Sequence, residues 1–198
     1  MTSLFDLGGK RILLVGSTGV LGSGFARILH KSGAELILAD LESSSIKLLA
    51  EELGVNAVNI DVTNEDSVVS AVASTVSTFG GLDGVVSNAA ITSEFLSAKN
   101  NVFPPFEDYP LKDWKQTIDV NLTGTFLVAR EAGRAIKNCG GGSIVLTSSI
   151  YGVVGPDHSI YEGQSFRSLP GYSASKSGII GLARWLATWW AEDNIRVN

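Results

Sequence analysis

Tyr172 and Lys176, in the run Tyr172-Ser-Ala-Ser-Lys176, are the residues whose types and spacing most directly suggest chemistry. Side chains four positions apart lie on one helix face, so this spacing sets a phenol beside an ammonium. An ordinary phenol keeps its proton near neutral pH, and a neighbouring cation favours the tyrosinate. The pair is therefore a candidate proton donor and acceptor. Ser148 and Ser149 offer hydroxyls that could orient a reacting oxygen. A serine nucleophile is the weaker reading, because neither His30 nor His158 stands in a nucleophile-elbow context. Far upstream, Gly16-Ser-Thr-Gly19-Val-Leu-Gly22-Ser-Gly24 is a glycine turn. It can fold tightly and bring a pyrophosphate against backbone amides at a helix start.

These groups need a scaffold that brings them to one place. Arg11 to Val15, Glu35 to Ala39, Val55 to Ile60, Leu82 to Val86 and Ser143 to Thr147 are short apolar runs that read as strands. Between them lie helical patterns: one through Phe25, Ile28 and Leu29, one from Ser43 to Leu53, and one carrying Val68, Val72 and Val76 behind the capping sequence Thr63 to Asp66. A longer pattern from Leu111 to Asn138 carries Trp114, Ile118, Leu122, Phe126 and Leu127, and Gly140 to Gly142 stop it. Tyr172 opens the last helix. Periodicity fails from Ile91 to Pro110 and from Gly152 to Pro170, which read as loops. The alternation of strands and helices demands an α/β architecture: a parallel sheet with right-handed crossovers and helices on both faces.

In such sheets ligands bind at the carboxyl ends of the strands. Gly16, Asp40, Asp61, Asn88 and Ser149 all fall at such ends. Asp40 closes the strand after the glycine turn, 24 positions beyond Gly16. In a dinucleotide fold an acidic residue there accepts hydrogen bonds from the adenosine ribose and repels a 2'-phosphate, which favours NAD(H) over NADP(H).

Composition narrows the class. The 198 residues suit one domain, 1–198, whose core needs no staples. A net charge of -5, with no Lys/Arg cluster, argues against nucleic acid or an anionic membrane and for a small-molecule partner. Cys139 is the only cysteine, so an intramolecular disulfide is impossible, thiolate metal cages are excluded, and the setting reads as cytoplasmic. No metal site is expected, nor any membrane-spanning stretch or leader.

Taken in order, the glycine turn, Asp40, Asp61-Val62, Asn88-Ala-Ala90, Asn121, Ser149 and Tyr172-x-x-x-Lys176 resemble the short-chain dehydrogenase/reductase family of the single-domain type, over nearly the whole chain. The resemblance implies a three-layer Rossmann fold, a doubly wound parallel sheet of order 3-2-1-4-5-6 whose sixth strand is incomplete here. Its catalytic set would be Asn121, Ser149, Tyr172 and Lys176. Tyr172 is the acid and base, Ser149 orients the substrate oxygen, Lys176 holds the nicotinamide ribose and favours tyrosinate, and Asn121 supports a proton relay to the lysine. Cofactor contacts would be Gly16, Ser17, Gly19, Leu21, Gly22, Asp40, Asp61, Val62, Asn88 and Ala89, together with Tyr172 and Lys176.

The implied activity is NAD(H)-dependent interconversion of a secondary alcohol and a ketone. The sequence departs from the family pattern at Val15, Val20 and Ala90, where threonine, glycine and glycine are usual. Ser149 and Tyr172 are also 23 positions apart, longer than the family interval. With the polar loop Thr92 to Tyr109, the added residues suggest a sugar-like substrate. The chain stops after Asn194-Ile-Arg-Val-Asn198, where the family continues. Ile179, Leu182, Trp185, Leu186, Trp189 and Trp190 make the last helix broadly apolar. The family pairs this helix and the one holding Asn121 across a two-fold interface, implying a homodimer or homotetramer. Two other readings stand: a non-catalytic dinucleotide-binding or scaffold protein, and a nucleotide-sugar epimerase or dehydratase, which the three-glycine spacing also resembles.

Overall fold

The computed structural model describes residues 5–92, 103–164 and 166–198. Most of the expected loop after Ile91, residues 93–102, thus lies outside the described residues. Six parallel strands form one sheet in the order β3-β2-β1-β4-β5-β6. They are β1 (Arg11–Val15), β2 (Glu35–Asp40), β3 (Asn56–Asn59), β4 (Gly84–Ser87), β5 (Gly142–Leu146) and β6 (Ile195–Val197). The helices are α1 (Val20–Lys31), α2 (Ser44–Leu53), α3 (Glu65–Phe79), α4 (Leu111–Ile118), α5 (Gly124–Asn138) and α6 (Pro170–Trp189). Among the described residues, no helix is long and apolar enough to cross a membrane.

The period of two along β1 divides the core. Leu13 and Val15 face a cluster containing Val68 and Val72 of α3, Val128 and Ile136 of α5, and Ile179 of α6. Ile12 and Leu14 face Ala26 of α1 and Ile46 and Leu49 of α2. A strand buried on both faces must be apolar at every position, which is why Ile12 to Val15 read as an unbroken run. Leu13 sits opposite Ile37 of β2 and Val85 of β4, so this register carries the core through three strands.

Local chemistry shifts several boundaries. Within the capping sequence Thr63 to Asp66, Asn64 is the cap of α3, its side-chain oxygen accepting from the Ser67 amide at 3.1 Å. The expected helix from Leu111 to Asn138 is continuous but not uniform: Asp119–Thr123 forms a π turn between α4 and α5. The broad apolar surface of the last helix also divides. Trp190 is buried, its ring seated where a side chain at Gly133 would stand, with a built Cβ only 2.3 Å from the ring. Trp185 and Trp189 remain exposed and stack with ring centroids 5.1 Å apart.

At the opposite end of the strands from the glycine turn, Arg11 and Asp83 tie the start of β1 to the residue before β4. Two guanidinium bonds of 2.7 and 2.9 Å and the Arg11 amide at 2.9 Å all reach the Asp83 carboxylate. Hydrogen bonding from Arg11 holds Asp83 down at about 2, from an ordinary 3.8. A carboxylate with a lowered folded value stabilises the fold fully above its unfolded value and loses that contribution as pH falls through the folded one. Asp83→Asn should therefore be less stable than wild type at neutral pH. The gap should close as pH is lowered from ~4 towards about 2, measured as urea midpoints across that range.

Candidate active site

The glycine turn packs backbone against backbone. Gly16 follows β1 with φ of 77°, and a Cβ there would lie 2.4 Å from the Ala89 amide nitrogen. Asn88 fixes this approach from β4, its amide donating to the Gly16 carbonyl at 3.1 Å. Gly22 is equally constrained, since its Cβ would lie 2.0 Å from the Gly16 oxygen. Gly19 differs. It caps α1, and a Cβ added there meets nothing within 4 Å. Val20 and Leu21 beside it are exposed. The turn is closed at Gly16 and Gly22 and open from Gly19 to Leu21, at the start of a twelve-residue helix whose first amides attract negative charge.

Ser17 points inward, its hydroxyl donating to the Ala39 carbonyl at 3.3 Å. Asp40 is turned onto the glycine loop: one carboxylate oxygen accepts from both the amide and hydroxyl of Thr18, each at 2.8 Å, and the other from the Leu41 amide. Asp61 is exposed and receives the Thr63 amide and hydroxyl at 2.9 and 2.7 Å. Val62 is buried against α5, where Gly124 leaves room for it.

On the other half of the sheet, α6 crosses the end of β5. Lys176 is 2 % exposed, and its ammonium donates to the Thr147 carbonyl at 2.6 Å. Burial lowers it to about 8, so it is still a cation at neutral pH. Its Nζ lies 5.6 Å from the Tyr172 ring centroid, which places phenol and cation together as the helical spacing requires.

The two serines have different surroundings. Ser148 donates its hydroxyl to the Lys176 carbonyl at 2.8 Å, which commits it to holding α6. The Ser149 oxygen accepts the Tyr151 amide at 3.2 Å. A hydroxyl has one proton and two acceptor positions, so Ser149 retains a proton to donate.

Asn121 is fully buried in the π turn. Its side chain accepts from the Ile91 amide at 2.7 Å and donates to the Ile91 carbonyl at 3.1 Å and to Ser175 at 3.3 Å. These partners are Ile91 and Ser175 rather than Lys176 itself. Ser175, which the sequence reading passed over, in turn donates to the Tyr172 carbonyl at 2.8 Å. A small polar residue inside a helix, three positions after Tyr172, was the available signal. Ile91, Leu169, Phe103 and Val120 pack with Tyr172 as an apolar cluster, so the phenol has one dry side. An open, largely apolar cavity of about 270 Å³ lies elsewhere, lined by Leu146, Ile179, Ala183 and Val197 among others. None of Ser149, Tyr172 or Lys176 lines it.

The glycine turn and the Tyr172/Lys176 pair thus stand on one parallel sheet of order 3-2-1-4-5-6. A family model described as Enoyl-(Acyl carrier protein) reductase matches residues 16–198. The 2,5-dichloro-2,5-cyclohexadiene-1,4-diol dehydrogenase of Sphingobium indicum is 34% identical over 197 residues, covering 98% of this chain and 71% of that protein. The D-threitol dehydrogenase of Mycolicibacterium smegmatis is 30% identical over 199 residues, covering 98% and 69%. The crystal structure of a short-chain type dehydrogenase/reductase from Mycobacterium marinum superposes with a TM-score of 0.84 at 31% identity, covering 98% of this chain and 74% of that one. The chain belongs to the short-chain dehydrogenase/reductase family. It is an oxidoreductase of the alcohol/ketone class.

The three glycines should separate by experiment. Gly22→Ala should lower the melting temperature, because backbone must move. Gly19→Ala should lower it much less, by no more than a poorer N-cap costs, yet weaken nicotinamide dinucleotide binding about tenfold, since the added methyl fills the open edge. Differential scanning fluorimetry and NADH fluorescence titration read the two effects.

Proposed function

We propose that the chain is an NAD(H)-dependent dehydrogenase in which Tyr172 is the proton acceptor and donor, Ser149 orients the reacting oxygen, and Lys176 and Asn121 complete the catalytic set. The observation that carries this reading is the Lys176 ammonium, buried beside the Tyr172 ring and anchored on Thr147 two residues before Ser149. The open edge at Gly19, the α1 amides and the Asp40 carboxylate fit a dinucleotide at the other half of the same sheet end. Gly16, Ser17, Gly19, Leu21, Gly22, Asp40, Asp61, Val62, Asn88 and Ala89 would hold it, and residues 1–198 would act as one dinucleotide-binding domain.

When bound, the nicotinamide supplies a hydride acceptor for alcohol oxidation and a hydride donor for ketone reduction. The Ser149 hydroxyl donates to the substrate oxygen and fixes its direction. Tyr172, as tyrosinate, removes the alcohol proton, and in reduction the protonated phenol returns it. Lys176 keeps a positive charge beside the phenol, lowering the cost of its anion. Asn121 and Ser175 hold the Tyr172 end of α6 against Ile91, which preserves the spacing on which proton transfer depends. Tyr172→Phe should lower kcat by at least about a hundredfold while NADH affinity stays within about twofold, measured by steady-state kinetics and fluorescence titration. Retained turnover rejects the assignment.

The acidic Asp40 supports NAD(H) over NADP(H), because its charge opposes a 2'-phosphate. NADH should bind at least about tenfold more tightly than NADPH, and Asp40→Ala should narrow that ratio. The polar interval between Ser149 and Tyr172 and the D-threitol dehydrogenase relative support a hydroxyl-rich, sugar-like substrate. The lone cysteine supports a reducing, cytoplasmic setting. The exposed Trp185 and Trp189 stack on α6 supports a homodimer or homotetramer through this face.

A further inference from the structure

The long interval between Ser149 and Tyr172 is joined to the catalytic turn by one pair of phenols. The Tyr151 and Tyr161 hydroxyls lie 3.0 Å apart, within hydrogen-bond distance. Tyr161 belongs to a short 3-10 turn at His158–Tyr161, which Asp157 caps through the Ser159 amide and hydroxyl at 2.9 and 2.7 Å. Its ring also meets Phe166 edge-on, with centroids 5.9 Å apart. Tyr161 is therefore held on its own side of the contact.

Tyr151 is the residue whose backbone amide donates to the Ser149 oxygen. It stands in the 3-10 turn Ile150–Gly152, which is pinned to α6 at both ends. Ser148 donates to the Lys176 carbonyl, and Ser177 donates to the Gly152 carbonyl at 2.9 Å. Gly152 also sits too close to the Lys176 carbonyl for any side chain, with a built Cβ at 2.7 Å. Between these two fixed ends, the Tyr151 amide occupies one acceptor position of the Ser149 oxygen.

Resting on the proposed role of Ser149, we infer that Tyr161 is a positioning residue. Through its hydroxyl contact with Tyr151 it holds the Tyr151 amide on the Ser149 oxygen, so that the Ser149 proton is directed at the substrate. The interval between Ser149 and Tyr172 thereby does more than line a binding site. It supplies a brace for a group at the reacting oxygen, and the brace acts through a hydroxyl that never touches substrate.

Hydrogen exchange at the Tyr151 amide tests this without turnover. In Tyr161→Phe that amide should exchange about fivefold faster, the worth of one neutral hydrogen bond, while the Leu14 amide in β1 keeps its wild-type rate. An unchanged Tyr151 rate overturns the proposal. Kinetics give the second arm: Tyr161→Phe and Tyr151→Phe should each lower kcat about fivefold with KM and NADH affinity within about twofold. The double variant should be no worse than either single one, because all three break the same link. A raised KM with kcat retained makes Tyr161 a substrate contact and overturns the positioning role, as do additive losses in the double variant. If wild-type protein turns over no alcohol, the proposed activity fails, and the exchange measurement still decides the link.

Discussion

The placement of the second half of the site depends on burying one charge. An ammonium removed from water is costly unless a polar partner replaces the lost solvent. For Lys176 that partner is the Thr147 carbonyl at 2.6 Å, at the end of β5. The requirement fixes where α6 crosses the sheet, because the helix must bring a long side chain to one particular carbonyl. Ser148 then bonds the Lys176 backbone, and Ser177 bonds the Gly152 carbonyl, so the turn after β5 and the helix hold each other in register. Tyr172, one helical turn before Lys176, is carried along with it. Asn121 and Ser175 secure the same helix from its other side through the Tyr172 carbonyl.

The first half of the site rests on a different constraint, steric rather than electrostatic. β1 and β4 end side by side, and the turns that follow them meet backbone to backbone at Gly16 and Ala89, with the Asn88 side chain bonded across to the Gly16 carbonyl. No side chain at Gly16 would fit between them, so the carboxyl edge of the sheet stays narrow at its centre. Asp40 closes over the loop through Thr18. The same strand end continues to Asn88 and then to Ile91, whose backbone is gripped by Asn121. The π turn is the geometric means of that grip. An extra residue in the helical ladder, of a kind often found at functional sites, turns a buried asparagine towards a peptide that needs both a donor and an acceptor.

Much of this was legible in the sequence because the determinants are local or periodic. Unbroken apolar runs identified buried parallel strands, the glycine spacing identified the strand-to-helix turn, and the four-residue separation of Tyr172 and Lys176 put them on one face. Other features were not legible, for physical reasons. Which residue of the capping sequence Thr63 to Asp66 caps α3 was not legible, because both Thr63 and Asn64 can cap and only the path of the chain decides between them. The two adjacent serines are chemically identical, so only the family resemblance pointed to Ser149, and the bond that commits Ser148 to the Lys176 carbonyl depends on the fold. The π turn has no compositional signature. Ser175 acts through partners 54 residues upstream and three residues upstream, and only the first of these contacts required the fold. Trp190 looked like its neighbours Trp185 and Trp189 until Gly133, on another helix, gave its ring a place to go.

The local and long-range determinants also separate along the chain between Ser149 and Tyr172. Lys176 and Tyr172 are positioned by contacts to the end of β5 and to the π turn, within the layers of the fold. Residues 153–169 leave that framework after Gly152 and rejoin it at α6, so their length can change without disturbing the lysine anchor. Ser149 stands on the turn after β5 and not on a helix, and its oxygen accepts from the Tyr151 amide, whereas Tyr172 is held in the helical ladder of α6. A hydroxyl contact from within the interval, between Tyr161 and Tyr151, reaches the residue whose amide donates to the Ser149 oxygen.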